Sequence, residues 1–291
     1  MAFITFKAGN HVSYGILRDD GVFDLGKRIG PAFPDLKSLL TAKGLGVLGA
    51  LPKASSTDYA NGEFTYLPVL PNPRKILCVG LNYEEHRRET GRPEAKQPAI
   101  FTRFADTLVG HKNPILVPVN SSALDFEGEL AVVIGKHGFR VSEETALDIV
   151  GGYSVFNDAT VRDWQHHTHQ FTPGKNFPNT GALGPAMLTP EEAGKLEEKR
   201  IETKVNGVTM QSAKLGDMIF SIPRIIAYLS GFTRLAPGDI IATGTPGGVG
   251  FKRDPQVFMR AGDEVQVTIE GIGSLVNTIA AEVPAQDHVW D

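Results

Sequence analysis

From Lys75 onward the chain is a succession of short strand-like runs separated by Gly, Pro and Asp turns: KILCVG, QPAIFTRF, NPILVPV, FEGELAVVIG, VGGYSVFN, RIETKVNG, GDIIATG, DEVQVTIEG and GSLVNTIAAE. Few helices interrupt them. SEETALDI reads as a helix with Ser142 as cap and an acidic first turn, TPEEAGKLEE as a second, and a third starts at Ser221, where Pro223 falls in the tolerant first turn. A doubly wound parallel sheet needs a helix after nearly every strand, and this rhythm is missing. The pattern predicts a mainly β, mixed α+β fold, with the strands rolled or closed into a barrel-like domain. LAPGDIIATG and MRAGDEVQV echo each other, but there is no true repeat.

Residues 1 to about 70 form a separate small unit in this reading. FITFKA, HVSYGILRD and GVFDLG are short strands, a helical stretch runs from about Pro34 to Leu51, and the polar PKASSTDYANGE follows. Pro68, Pro71 and Pro73 mark YLPVLPNPRK as a linker. The expected organisation is a small N-terminal α+β domain over 1–70 and a larger catalytic domain over 71–291.

The 291 residues carry a net charge of −4, which gives no electrostatic footprint for nucleic acid or a membrane surface. A single cysteine, Cys78 in the apolar KILCVG, excludes an internal disulfide and a thiolate zinc site and reads as a buried small hydrophobe. MAFITFKAGN lacks the apolar core of a secretory leader, and no segment has the length of a membrane span. The expectation is a soluble, cytoplasmic protein.

In LDFEGELAVVIG, acids at Asp125, Glu127 and Glu129 run directly into a strand-like apolar segment. Alternate residues of a strand share a face, so these carboxylates project together and repel unless a cation sits between them. A solvent-facing strand edge is the other reading of the same row. Gly128 leaves the opposite face bare, which permits close approach of another strand. VGGYSVFNDAT then delivers Asp158 at the end of a second apolar run. Three acids on neighbouring strand ends make an oxygen-only site suited to Mg²⁺, Mn²⁺ or Ca²⁺ rather than zinc.

GLNYEEHRRETGRP follows KILCVG, and Asn82 is placed to cap a two-turn helix that carries His86 and Glu89 three residues apart on one side. A carboxylate holding one imidazole nitrogen raises the basicity of the other, the arrangement of a general base; such pairs also arise by coincidence on surfaces. Lys175 in GKNF suits a cation near a developing enolate, or else an exposed loop lysine. Gln165 can donate to a carbonyl oxygen, and Arg162 with Asp163 reads as a bracing ion pair. His166, His167 and His169 in WQHHTHQ lack companion ligands, so they predict a polar surface with at most one substrate-facing histidine. TGTPGGVGF matches neither phosphate-loop pattern; it is a tight turn, or a loop whose Thr245 hydroxyl and backbone amides, Gly244 among them, hold a substrate oxygen.

Taken together and in this order, GLNYEEHRRETG, LDFEGELAVVIG, FNDATVRDWQ, GKNF and the long segment from VNGVTMQSAK to GTPGGVG resemble the fumarylacetoacetate hydrolase family. The resemblance spans about residues 74 to 282, roughly 70% of the chain. It implies a mixed β-roll catalytic domain, usually in homodimers, with Mg²⁺ or Mn²⁺ (sometimes Ca²⁺) on Glu127, Glu129 and Asp158. It implies His86 with Glu89 as a water-activating dyad on a closing segment. Lys175, Gln165 and Thr245 would contact substrate, with specificity set by loops around Arg103 and from His166 to Phe171. Larger members that cleave fumarylacetoacetate have a fourth acidic ligand near the histidine, where this chain has Asn82 or a neighbour. That departure points to the smaller acylpyruvate-type branch.

The expected reaction is metal-dependent hydrolysis of a carbon–carbon bond in an acylpyruvate or related 2,4-diketo acid, a small-molecule substrate. The same site could decarboxylate oxaloacetate, or isomerise or decarboxylate a hydroxymuconate-type ring-cleavage product. A non-catalytic protein that binds a metal and a keto acid is the alternative from outside enzymology; it has no use for a dyad.

Overall fold

The computed structural model describes residues 1–41, 48 and 56–283. At its centre lie two antiparallel strands, Gly128–Ile134 and Val150–Asn157, in which every residue is buried. Both are nearly continuous apolar runs, as strands covered on two faces must be. Ile240–Ala242 flanks the first strand and Gly181–Leu188 the second, both antiparallel. Ile76–Gly80 then joins Ile240–Ala242 in parallel, and Ala99–Arg103 follows antiparallel. With the N-terminal strands the whole is a twelve-stranded mixed sheet.

The N-terminal segment continues this sheet. Ala2–Ala8 pairs with Gly181–Leu188 through Ala2↔Leu188 and Phe3↔Met187, and His11–Arg18 and Gly21–Asp24 extend it outward. Phe3, Tyr14, Leu36 and Leu39 share one apolar cluster with Ile76, Ala131, Val133 and Ile240.

A second sheet of five strands runs in the order Val208–Lys214, Arg200–Val205, Glu264–Ile269, Gly273–Ala281, Ile115–Val117. Its inward residues Ile201, Val205, Val265 and Val267 pack with Leu130, Val132 and Val155 of the central pair. The architecture is the mainly β, mixed fold that the strand pattern predicts.

The helices are shorter than the sequence suggests. Ile222–Phe232 forms as expected: the Ser221 hydroxyl accepts from the Arg224 amide, Pro223 lies in the first turn, and Ile222, Ile225, Ile226 and Leu229 are buried. SEETALDI is a 3₁₀ stretch, Glu143–Ile149, in which Ser142 makes no side-chain cap bond. TPEEAGKLEE gives one turn, Pro190–Ala193, ended by Gly194 at φ 64°. In the stretch from Pro34 to Leu51 the described part holds one turn, Leu36–Leu39, capped by Asp35; most of the rest lies outside the described residues. Among the described residues no helix is long and apolar enough to cross a membrane.

Gly128 is where the two sheets close on each other. A Cβ there would lie 2.2 Å from Thr203 Oγ1 and 2.9 Å from Val267 Cγ1, both on the second sheet. Gly128→Val is therefore expected to destabilise the fold by about 1–3 kcal/mol or more, as overpacking does. Denaturant unfolding checks this; an unchanged midpoint would mean that the contact is not tight. A second expectation concerns His111, which is buried and accepts the Val276 amide proton at Nδ1. Burial, and then the Lys112 charge, lower its pKa from 6.5 to about 4. A depressed histidine contributes stability above its unfolded pKa and loses it as protons bind the unfolded chain. Stability should fall between about pH 6.5 and 4, less steeply in His111→Gln, as thermal melts across that window would show.

Candidate active site

The antiparallel register Gly128↔Asn157 sets the start of one central strand beside the end of the other. Glu127 and Glu129 flank the first position, and Asp158 follows the last. The pieces are stitched by the backbone: the Asp158 amide donates to the Glu127 carbonyl (2.8 Å), and the Glu127 amide donates to Asn157 Oδ1 (3.1 Å). Carboxylate oxygens of Glu127, Glu129 and Asp158 then lie within 4.8 Å of one another, all three residues buried. The solvent-facing edge is thus excluded for this row. Asp125 stands apart from the cluster, in a two-residue strand, Leu124–Asp125, paired with Thr160–Val161.

Buried carboxylates need compensation. Here it comes as an alternating chain. Asp125 accepts from Arg162 Nε (2.8 Å); Arg162 Nη2 reaches Glu127 (2.7 Å); Lys175 Nζ bridges Glu127 (2.7 Å) and Asp158 (2.5 Å); Arg103 Nη1 closes on Asp158 (2.7 Å). Burial pushes the Glu127 carboxyl up, but the charges of Lys175 and Arg162 outweigh it and hold the pKa down at about 2. Burial alone would lower the Lys175 ammonium; Asp158 and Glu127 raise it above its ordinary value, so it stays charged. Glu129 is the surplus acid. Burial, then the charges of Asp158 and Glu127, drive its pKa well up, and the Gly244 amide (2.8 Å) is the donor to it.

This pattern corrects two expectations. Arg162 does not pair with Asp163, whose Oδ1 instead accepts from Ser121 (2.8 Å). Lys175 is not an exposed loop lysine but 1% exposed, brought in by the turn Thr172–Lys175 as Gly174 packs on the Gln165 backbone.

His86 and Glu89 meet as the helical spacing predicts. The helix Glu84–Glu89 brings His86 Nδ1 to 2.6 Å from Glu89 Oε1. An ionised carboxylate only accepts, so Nδ1 carries a proton, and in the neutral ring Nε2 keeps the lone pair. Asn82 does not cap this helix; its buried amide binds Phe220 and Thr243 instead, tying the helix entrance to two other segments.

The glycine loop after Ile240–Ala242 has a role that its sequence does not reveal. The Gly244, Gly248 and Gly250 amides donate to Glu129 (2.8 Å), Glu89 (2.9 Å) and Asp125 (2.8 Å). The backbone amides expected on a substrate oxygen thus hold the protein's own carboxylates. Gly248 has φ +97°, and a Cβ would lie 2.3 Å from the Met210 carbonyl, so only glycine fits. Thr245 is similarly occupied: its hydroxyl donates to the Gly128 carbonyl (2.9 Å) and accepts from Gln211 (2.8 Å). Gln211, buried on Val208–Lys214, also accepts from the Gly128 amide (3.0 Å). The sequence reading missed this residue, and its only signal was a polar side chain at an inward position of a strand.

These groups converge on a cavity of about 90 Å³ whose walls include His86, Glu127, Glu129, Gln165, Lys175 and Thr245. Arg103 is not in the wall; its guanidinium is spent on Asp158, the Ala159 carbonyl and Thr180. Of the three clustered histidines, His166 alone lines the cavity, while His167 packs against Trp164.

The donor set fits a hard divalent cation: three carboxylates, no thiolate or imidazole within the cluster, and one more buried acid than the alternating chain neutralises. Glu127, Glu129 and Asp158 are the residues that could hold it.

Comparison with known proteins identifies the family. The family model "Fumarylacetoacetate (FAA) hydrolase C-terminal" matches residues 75–280. Mitochondrial oxaloacetate tautomerase FAHD2A of Bos taurus is 38% identical over 277 residues, covering 94% of this chain and 88% of that protein. Oxaloacetate tautomerase YisK of Bacillus subtilis (strain 168) is 44% identical over 226 residues, 76% of this chain and 75% of its own. Among solved structures, maleylpyruvate hydrolase from Sphingobium sp. SYK-6 in complex with manganese(II) ion and pyruvate superposes with a TM-score of 0.80 at 26% identity, covering 97% of this chain and 100% of that one. With the family model matched over residues 75–280 and relatives 38–44% identical over most of their own length, the chain belongs to the fumarylacetoacetate hydrolase family of enzymes.

Proposed function

We propose that the protein is a divalent-metal-dependent enzyme that interconverts the keto and enol forms of oxaloacetate or a closely related 2-oxo dicarboxylic acid. The observation that carries this reading is that His86, held by Glu89, lines the same small cavity as Glu127, Glu129 and Lys175. The relatives named for oxaloacetate tautomerisation support the choice of substrate.

A Mg²⁺ or Mn²⁺ ion on Glu127, Glu129 and Asp158 would supply Lewis-acid polarisation of the 2-oxo group. His86 Nε2 takes the proton from C3 as the enolate develops; the enolate then takes a proton from water at its C2 oxygen to give the enol while His86 releases its own to solvent, and the opposite direction reverses each transfer. Glu89 holds the ring in the tautomer that leaves Nε2 free and steadies the imidazolium once it forms. Lys175 keeps its proton among the acids and sets a positive charge beside the enolate oxygen. Gln165 accepts from Arg162 Nη1 (2.9 Å) through its oxygen, which leaves its NH₂ to donate to the substrate. Arg103 and Gly244 act through Asp158 and Glu129, orienting the carboxylates rather than touching the substrate.

Hydrolysis of a 2,4-diketo acid is the second reading, favoured by the likeness to a maleylpyruvate hydrolase. There the same dyad would deprotonate a water, and Lys175 would face the enolate released by carbon–carbon cleavage. Decarboxylation of oxaloacetate produces the same enolate without a water.

The test follows the enol absorbance of oxaloacetate with Mg²⁺ or Mn²⁺, with CO₂ and pyruvate quantified in the same tube and acetylpyruvate in a parallel one. Faster approach to keto–enol equilibrium without CO₂, abolished by excess chelator, is the expected result. CO₂ and pyruvate would move the reading to a decarboxylase, and acetate with pyruvate from acetylpyruvate to a hydrolase. His86→Ala is expected to cost about 10²–10⁴ in rate while calorimetric Mn²⁺ affinity holds. Lys175→Met leaves Glu127 and Asp158 facing each other and should destabilise the metal-free protein by about 3–5 kcal/mol. Added Mn²⁺ should recover more stability in this variant than in the wild type, as thermal melts with and without the ion would show.

A further inference from the structure

The basic side chains on the cavity wall fall into two sets. Arg162 and Lys175, deep in the wall, are neutralised by Asp125, Glu127 and Asp158. Arg92 and Lys252 lie at the exposed mouth and, among the described residues, have no acidic partner. The backbone of Arg92 and the side chain of Lys252 are held in place. Arg92 follows directly on the helix that carries the dyad: its amide donates to the Arg87 carbonyl, and its carbonyl accepts from Arg87 Nη1 (2.7 Å). Arg87 is itself locked by two bonds to Glu84. Lys252 extends over the ring of Phe251, 5.1 Å from its centroid, and the Phe251 amide is anchored on Asp125 (3.0 Å). Arg162 lies over the same ring at 4.1 Å, so the aromatic platform joins the mouth to the buried charge chain.

We propose that Arg92 and Lys252 form a subsite that recognises the distal carboxylate of a dicarboxylic substrate and selects 2-oxo diacids over monoacids. A diacid whose head faces Glu127 and Glu129 at the cavity floor directs its other carboxylate towards the mouth, where these two cations stand. A carboxylate there gains charge-assisted hydrogen bonds in a setting screened from bulk water on one side. A monoacid leaves the same cations as they are, and specificity is the difference between the two. His166 registers the field at this end of the cavity: burial first, and then the charges of Arg162, Lys252 and Arg92, lower its imidazole against the opposing pull of its bond to the Arg162 carbonyl. The inference rests on the proposed function for the identity of the head group.

The test uses two unreactive four-carbon ligands with the same 2-hydroxy acid head, malate and 2-hydroxybutyrate, which differ in carrying a distal carboxylate or a methyl group. Each is titrated by calorimetry into the Mg²⁺-saturated protein. The wild type is expected to prefer malate at least about 10-fold. In the Arg92→Gln/Lys252→Gln double variant the preference should shrink to about 2-fold, with 2-hydroxybutyrate affinity unchanged. The wild-type preference should also weaken as salt is raised. Absence of a wild-type preference, or its survival in the double variant, overturns the subsite. A preference that is lost in the variant, in a protein that leaves oxaloacetate enol untouched, supports the subsite and sinks the reaction reading. Tautomerase activity with an unaltered preference does the reverse.

Discussion

The interaction on which this site depends is the buried alternation Asp125–Arg162–Glu127–Lys175–Asp158–Arg103. Each member touches the next at 2.5–2.8 Å, and all six are nearly removed from water. Taking isolated charges into a low-dielectric interior costs several kcal/mol per ion even after relaxation. The alternation offsets this because every inner charge has two opposite neighbours. It is also brittle, since removing any inner member leaves two charges each short of a partner. A structure of this kind is poor material for stability and good material for a fixed electrostatic site. The odd acid out, Glu129, is the carboxylate of the cluster that makes no ion pair among the described residues, and that imbalance is what a divalent ion would answer.

Two backbone devices keep the chain of charges in register. Gly128 lets the second sheet close directly beneath the glutamates, where any side chain would collide with Thr203 or Val267. The loop from Thr243 to Phe251 then lays three glycine amides against Glu129, Glu89 and Asp125. One short loop thus orients a carboxylate of the cluster, the partner of the histidine, and the first acid of the alternation. This explains why so much glycine sits at the end of one strand: a Cβ would collide with Asn82 at Gly244, with the Met210 carbonyl at Gly248 and with the Val257 carbonyl at Gly250, and the first two have positive φ. The reading of this loop as a substrate cradle had the right atoms and the wrong recipient.

Much of the site was legible because it is local. His86 and Glu89 share a helical turn, so their contact follows from spacing once the helix forms. Glu127 and Glu129 are two residues apart about the start of a strand, and the two apolar runs that begin after Glu127 and end before Asp158 read as buried strands. The errors arose where partners are distant in sequence. Asp163 is adjacent to Arg162, yet the arginine crosses to Asp125 and Glu127, where burial makes an ion pair worth forming. Asn82 had the sequence position of a helix cap, but tertiary partners 138 and 161 residues away claimed its amide. Arg103 appeared as a loop residue against substrate and lies instead beneath Asp158.

By itself, then, the sequence determined the mainly β class, the absence of a crossover-helix rhythm, the acidic cluster's composition and the histidine–glutamate pair, because periodicity and short spacings carry these directly. It also determined the family, since ordered motifs over most of the chain do not recur by chance. Only the tertiary structure decided which charges neutralise which, that Glu129 is the acid left over, that the glycine loop serves the protein's own carboxylates, and that Arg92 and Lys252 line the cavity with no acidic partner among the described residues. These depend on strand register and on the packing of two sheets. Electrostatic energy there is set by distances of a few ångströms between residues tens to more than a hundred positions apart, and no local pattern encodes those distances.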